Sequence, residues 1–174
     1  MKVQELMSTD IATCSPNDML NHAAQIMWEH DCGAVPVVDA ESHVVGMLTD
    51  RDICMAAYTT GKPLWEISVS SACAHAVLSC KLNDSIKTAE NVMRNAQVRR
   101  LPVVDEEGKL YGMLSLGDLA IHVHKPRLRA NGLSYESIAM TLAAISEPAA
   151  ERVEPLAPPA PPEPVVTAPA TAPA

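Results

Sequence analysis

The sequence predicts a mixed α/β protein built from two β-α-β-β-α motifs that pack as a pseudo-twofold pair. The first observation is an ungapped internal repeat: residues 33–53 and 99–119 are identical at nine of 21 positions when Pro36 is aligned with Pro102. A self-match of this length indicates duplication of a structural unit. The second observation is size, because each copy spans only about sixty residues, for which a lone core is marginal. We therefore expect the two copies to form one fused module.

The first copy begins with a β-prone segment at residues 10–14, which Pro16 ends. A helical pattern follows from Asp18, the predicted N-cap, because apolar residues recur at i, i+3, i+4 and i+7. Residues 34–39 and 43–48 are joined so closely that they predict an antiparallel hairpin. The first helix then acts as a crossover between parallel strands. The remaining features of this copy are a second helix from Thr49 and its predicted end at Gly61 and Pro63.

The second copy repeats this order, with a strand near 76–80, a helix from Asp84, a hairpin over 100–114 and a last helix from Ser115. After it, Ser134 is a predicted cap for a short C-terminal helix. Residues 148–174 contain nine Pro and eight Ala, which predicts a disordered or polyproline-like tail. The predicted divisions are a first motif at 1–58, a linker at 59–68, a second motif at 69–124, a connector with a short helix at 125–147, and the tail at 148–174.

The composition limits the classes of function. The net charge is −8, which disfavours nucleic acid and anionic membranes as partners. The five Cys include no CxxC pair, which is typical of reduced thiols in a cytosolic protein. Neither a signal peptide nor an apolar segment long enough for a membrane span is found. The sequence therefore predicts a soluble, cytoplasmic protein.

One motif occurs at the strand-to-helix corner of both copies. Residues 46–52 (GMLTDRD) and 112–118 (GMLSLGD) share the pattern Gly, apolar, any residue, Ser/Thr, two residues, Asp. A hydroxyl at the N-cap with a carboxylate three residues later forms a capping box, and helix capping alone could explain both residues. The same groups also suit a nucleotide. A helix N-terminus attracts phosphate, a carboxylate can accept from a ribose diol, and the apolar strands beside the corner, at Val35-Pro36 and Leu101-Pro102, offer a flat wall for a purine.

With the PVVD strand starts and these corners, residues 3–122 resemble a tandem pair of CBS motifs (a Bateman module). The resemblance implies clefts between the motifs that bind adenosine derivatives, namely AMP, ADP or ATP, with S-adenosylmethionine or NAD-type molecules as other ligands, and it implies association into dimers. The ribose and phosphate would be held by Thr49, Asp52, Ser115 and Asp118. The adenine would be flanked by Ile11, Val35, Pro36, Val77, Leu101 and Pro102.

The two copies differ in their basic residues. Arg100 stands where the first copy has Ala34, and Arg51 stands where the second has Gly117. Guanidinium groups bind phosphate well, so Arg51 and Arg100 are the candidates for phosphate contacts. Solvated surface arginines are the alternative. The two clefts should differ in affinity, or one should stay empty.

No catalytic set is visible, so the chain is not predicted to be an enzyme, and neither a cofactor nor a metal site is predicted. The first functional hypothesis is a regulatory module that senses an adenine nucleotide and signals energy or metabolite state to an effector protein, as a homodimer. The alternative is a ligand-free structural protein that uses the motif pair for oligomerisation or protein–protein interaction. Trp28 and Trp65 are predicted to be packing or interface residues.

Overall fold

The structure is a computed structural model that describes residues 1–124 and 133–148. Its helices and strands alternate as the repeat predicts. A two-stranded sheet, β1-β2, lies in the first half, and a three-stranded sheet in the order β3-β4-β5 lies in the second. The helices are α1 (Leu20–Glu29), α2 (Asp50–Thr60), α3 (Val69–Ala72), α4 (Ile86–Ala96), α5 (Leu116–His124) and α6 (Tyr135–Ser146), and the strands are β1 (Ala34–Val38), β2 (Val44–Thr49), β3 (Cys80–Lys81), β4 (Arg100–Val104) and β5 (Leu110–Ser115).

The predicted hairpins are confirmed, and they are alike in detail. Strands β1 and β2 pair antiparallel, as do β4 and β5, and each pair has a bulge at the same place, between Val37 and Val38 or between Val103 and Val104. Both turns also contain one residue with positive φ, Ser42 in the first and Gly108 in the second. The duplication therefore extends to the backbone geometry of the turns.

The starts of the motifs differ from the prediction. The first predicted strand, 10–14, is reduced to a single parallel bridge between Cys14 and Val37, and the second is only the two residues of β3, which runs parallel to β4. Asp18 was wrongly predicted as an N-cap. Its Oδ2 instead accepts a hydrogen bond from the backbone N–H of Ser15 at 2.7 Å, and the helix begins after Met19. The carboxylate thus closes a turn before the helix.

The lead-in of each motif, residues 1–10 in the first and 67–76 in the second, packs on the other motif, which the sequence did not predict. The backbone N–H of Val3 donates to the carbonyl of Asp84 at 2.9 Å, and Ser8 and Met113 exchange two backbone hydrogen bonds of 2.9 Å. The same bonds occur at the equivalent positions of the repeat, from Val69 to Asp18 at 2.8 Å and between Ala74 and Met47 at 2.8 and 3.0 Å. These matched bonds define a pseudo-twofold relation between the halves.

Each half has its own apolar core, and each core includes a residue from the opposite lead-in. Val3 is fully buried in the second core, beside Leu101 and Leu114. Ile67 and Val69 are buried in the first core, beside Val35 and Leu48. Because buried aliphatic side chains contribute stability in proportion to the area they remove from water, each half depends on chain supplied from the other side of the linker.

The C-terminal helix predicted from Ser134 is confirmed as α6, with Ser134 as its N-cap. It packs on α4 and α5, and it is held by polar contacts as well as by Ile145. Ser137 Oγ donates to the buried Glu90 at 2.5 Å, and Arg94 donates to Thr141 Oγ1 at 2.9 Å. The residues before it, 125–132, and the predicted tail from residue 149 lie outside the described residues. Among the helices that the structure describes, none is long and apolar enough to cross a membrane.

Candidate functional site

The first strand-to-helix corner forms a complete capping box. The Thr49 hydroxyl accepts from the backbone N–H of Asp52 at 3.2 Å. In return, Oδ2 of Asp52 accepts from the backbone N–H and the hydroxyl of Thr49, at 2.9 and 2.6 Å. Both groups thereby satisfy N–H donors that a helix start leaves unpaired. The structure therefore confirms the capping interpretation of this motif.

The second corner repeats these contacts. Oδ2 of Asp118 accepts from the backbone N–H and the hydroxyl of Ser115 at 2.8 and 2.7 Å, and the backbone N–H of Asp118 donates to the Ser115 hydroxyl at 3.1 Å. Within the described part of the chain, both contacts that the Asp118 carboxylate makes with Ser115 use Oδ2, and Oδ1 takes no part in the capping box. One carboxylate oxygen therefore holds the helix start, while the other can accept from a ligand.

A cavity of about 360 Å³ lies between the two halves beside the second corner. Ser115 and Asp118 line it from the second half. Residues 8–12 and the start of β1 line it from the first half. It is therefore an interfacial cleft of the kind in which small ligands commonly bind. Its lining residues are Ser8, Asp10, Ile11, Ala12, His30, Cys32, Ala34, Arg100, Met113, Ser115 and Asp118.

An extended segment over residues 8–14 forms one wall of this cleft. It is bonded to β5 at Ser8 and to β1 at Cys14, so it crosses from one half to the other. Its side chains alternate between two cavities, as expected for extended chain. Ser8, Asp10 and Ala12 face the larger cavity, while Thr9 and Thr13 line a second one of about 200 Å³ beside Tyr111. Ile11 lines both.

Four of the residues predicted from the sequence meet at the larger cavity: Ile11, Arg100, Ser115 and Asp118. Val35 and Leu101 do not, because their side chains are fully buried in the two cores, and Ala34 lines the cavity at the start of β1 instead. Pro36 and Pro102 are buried in their strands, and Val77 is half-buried in the segment before β3. As side chains, Val35 and Leu101 therefore do not provide a wall for a purine.

The other predicted residues lie at the first corner. Thr49 and Asp52 are half-buried, and Arg51 is exposed on the first turn of α2. Gly46 lies close to the opposite lead-in, since a Cβ on it would be 2.8 Å from Cys73 Sγ. Burial raises the pKa of the Cys73 thiol, and the nearby Asp52 adds to this effect. Cys73 is therefore a neutral neighbour of this corner.

Sequence reasoning missed Ser8, Asp10, His30 and Cys32 as residues of the cleft. Ser8 and Asp10 belong to the lead-in, which its backbone contact with β5 brings to the cleft. His30 is the C-cap residue of α1, and Cys32 follows it in the turn to β1. The only signal in the sequence is their place within the repeat, since each has an apolar counterpart at the equivalent position of the second copy.

A small polar group lies on the first hairpin turn. Within the described residues, Asp39, Glu41 and His43 have potential metal-ligand atoms within 4.8 Å of one another. Asp39 is already used by the turn: Oδ1 accepts from the backbone N–H of Glu41 and His43 at 3.0 and 2.8 Å. The His43 N–H lowers the pKa of this half-buried carboxyl. Asp105 makes the same bonds in the second hairpin, where Lys109 replaces the histidine, so turn formation explains the group.

A family model and a sequence relative both identify the same family. The model of the CBS domain matches residues 3–58 and 69–125. The CBS domain-containing protein YhcV of Bacillus subtilis is 38% identical over 144 residues, which cover 83% of this chain and 94% of that protein.

Two solved structures are also similar. Hypoxic response protein 1 of Mycobacterium tuberculosis is 32% identical over 69% of this chain and 83% of its own length. A crystal structure of Hypoxic Response Protein I with two coordinated zinc ions is 32% identical and gives a TM-score of 0.65 over 70% of this chain and 98% of that one. CBSX2 in complex with AMP is 22% identical, with a TM-score of 0.63 over 72% of this chain and 98% of that one, and at this identity it supports the fold alone.

Proposed function

Because the chain belongs to the CBS domain family, we propose that it is a regulatory module that binds an adenosine nucleotide in a cleft between its two motifs. The ligand class is AMP, ADP or ATP, with S-adenosylmethionine or an NAD-type molecule as other candidates. The observation that carries the proposal is the cavity of about 360 Å³ in which Ser115 and Asp118 meet side chains of the first half. CBSX2, which shares this fold, has been solved in complex with AMP.

The cleft has a group for each part of such a ligand. Oδ1 of Asp118 would accept from a ribose hydroxyl, because Oδ2 is engaged by Ser115. The first turn of α5 carries the positive end of the helix dipole, and the Arg100 guanidinium lines the same cavity, so both would attract phosphate. Ile11, Ala34 and Met113 supply apolar surface for the base.

Ligand binding regulates only if it favours one state over another, because a ligand shifts an equilibrium by its differential affinity for the two states. The cleft is lined by both halves, and the segment over 8–14 crosses between them. A nucleotide would therefore bias the relative position of the halves, which an effector protein or a second copy in a homodimer would detect.

A thermal-shift titration tests the proposal. AMP, ADP, ATP, S-adenosylmethionine and NADH are added to the full chain, with inosine and inorganic phosphate as controls. A true ligand at a hundredfold excess over Kd should stabilise the fold by about 2.7 kcal/mol. The shift should be lost in Asp118→Ala. If every adenosine compound leaves Tm unchanged at millimolar concentration, the proposal is wrong.

One observation favours a second function, that of an interaction scaffold. Trp28 on α1 is 87% exposed and Trp65, in the turn at Leu64–Glu66, is 66% exposed. Met55 and Tyr58 on α2 are each about half exposed. Large exposed apolar and aromatic side chains are typical of protein interfaces. If this surface joins two copies, Trp28→Glu should shift the molar mass measured by light scattering from dimer to monomer, while Trp28→Phe should not.

A further inference from the structure

We infer that each chain binds one nucleotide, in the cleft of Asp118, and that this cleft accepts a nucleoside monophosphate in preference to a triphosphate. The inference rests on the proposed function and deepens it, because it selects between two corners that have the same capping box. The selection comes from the residues around each corner.

The pseudo-twofold relation allows the two clefts to be compared position by position. Ser8 pairs with Met113 as Ala74 pairs with Met47, and Cys14 pairs with Val37 as Cys80 pairs with Val103. In each case, the two pairs stand at equivalent positions of the two copies when Pro36 is aligned with Pro102. The backbone bonds of both lead-ins follow the same rule. A residue that lines the Asp118 cleft therefore has its counterpart beside Asp52.

The polar side chains that the first half contributes to the Asp118 cleft are replaced by apolar residues at the equivalent positions beside Asp52. Ser8 and Asp10 become Ala74 and Ala76, and His30 and Cys32 become Ala96 and Val98. Ala12 is replaced by the larger Leu78. Ala34 and Arg100 are each other's counterpart and both line the cavity, so this pair does not distinguish the clefts.

The difference decides which corner can hold a nucleotide. Phosphate and base groups leave water on binding, and each polar group without a new partner weakens binding about tenfold or more. Beside Asp118, Ser8 and His30 offer hydrogen-bonding groups, and Asp10 offers an acceptor for an amino group of the base. Beside Asp52, the alanine and valine counterparts offer none, so that Thr49, Asp52 and the shared Arg100 are the polar groups left among the described residues at these positions.

The charge of the Asp118 cleft decides between nucleotides. Among the residues that line it, Asp10 and Asp118 are acidic and Arg100 is basic. Each further phosphate would add negative charge beside these two carboxylates, which one guanidinium opposes among the described residues of the cleft. Because like charges in a cleft disfavour binding, we expect AMP to bind roughly tenfold more tightly than ATP.

Isothermal titration of the full chain with AMP tests the single cleft. The expected stoichiometry is one per chain. Asp118→Ala should abolish the binding heat, while Asp52→Ala, which removes the same helix cap from the other corner, should leave stoichiometry and Kd unchanged within twofold. Circular dichroism confirms that both variants fold. Two AMP per chain, or loss of binding in Asp52→Ala, would overturn the inference while leaving the proposed function standing. No heat with any adenosine ligand would instead refute the proposed function.

Two further variants test the surrounding side chains without touching a cap. His30→Ala, which copies the residue of the other cleft, should weaken AMP at least tenfold. Asp10→Asn should narrow the preference for AMP over ATP, because it removes one of the two acidic groups. Unchanged AMP affinity in His30→Ala, or tighter binding of ATP than AMP to the unaltered chain, would contradict the inference.

Discussion

At the residue scale, the hydroxyl and carboxylate at each corner serve the helix first. Thr49 with Asp52 and Ser115 with Asp118 have nearly the same distances, although only the second pair lines the described cavity. The shared pattern in the sequence therefore reports a capping box, and the ligand-binding role depends on what surrounds it.

Replacing a capping hydroxyl should destabilise the ligand-free protein. Thr49→Ala removes the acceptor for the Asp52 N–H and should lower the free energy of unfolding by about 1 kcal/mol in urea denaturation. Thr59→Ala, on the exposed side of the same helix, is the matched control and should cost less. Equal effects would show that Thr49 does not act as a cap.

Two buried thiols should make stability depend on alkaline pH. Burial raises the pKa of Cys14 and of Cys80 from 9.0 to about 12. The unfolded chain then releases these protons above pH 9 while the folded chain keeps them, so their contribution is present below pH 9 and is lost as pH rises towards 12. The loss is at most about 1.4 kcal/mol per pH unit for each thiol. In urea titrations from pH 8 to 10.5, Cys80→Ala should flatten this slope, whereas Cys54→Ser, at an exposed position, should not.

At the element scale, the sequence predicted what is local. The hairpins follow from short apolar strands and a tight turn, and the corners follow from Gly, hydroxyl and carboxylate at fixed spacing. Asp18 failed as a cap because Ser15 offers it a nearer N–H, and Asp84 likewise accepts from Lys81 while Ser85 caps α4. The spacing of residues in the sequence does not show which of several neighbouring backbone N–H groups will donate to one carboxylate.

The close approach of a lead-in to β5 gives an element-scale prediction. A Cβ on Gly112 would lie 2.6 Å from the carbonyl oxygen of Ser8, so Gly112→Ala must displace the lead-in. We expect a loss of about 1–3 kcal/mol in thermal or urea unfolding. Gly117→Ala is the matched control, because its Cβ would make an ordinary contact of 3.4 Å on a helix, where alanine is preferred.

The docking of α6 gives a second prediction at the element scale. Ser137→Ala removes the hydroxyl that donates to Glu90, which is only 4% exposed, and leaves a buried acceptor without this partner. Such a loss costs about 1–3 kcal/mol, measurable as a lower Tm. Ser146→Ala, at the exposed end of the same helix, should leave Tm within a degree or two.

At the scale of the whole molecule, the exchange of lead-ins could not be predicted. Pattern and propensity describe how residues pack with their sequence neighbours, whereas Val3 packs in a core whose other buried residues all lie beyond the linker. For the same reason Asp10 and His30 were missed, since elements of one half carry them to a corner of the other. The corner itself was found because all its parts lie within the short segment 112–118.

Truncating the lead-in's buried side chain tests the exchange. Val3→Ala should lower the free energy of unfolding by about 2 kcal/mol, because a fully buried aliphatic side chain leaves a cavity in the second core. Glu5→Ala, exposed on the same turn, should change it by less than about 0.5 kcal/mol. Equal values in urea denaturation would mean that the lead-in does not stabilise the second half.

The crossing of the lead-ins also determines how the chain can be divided. A fragment that ends at residue 58 keeps Val3 but lacks the core into which Val3 fits, and it lacks Ile67 and Val69 for its own core. Such a fragment should aggregate or remain unfolded alone, and mixing it with residues 59–148 should restore the fold by complementation. The covalent linker between the repeats is then less essential than the packing of each lead-in in the opposite core. A gene divided at the linker would encode two polypeptides that fold only when they associate.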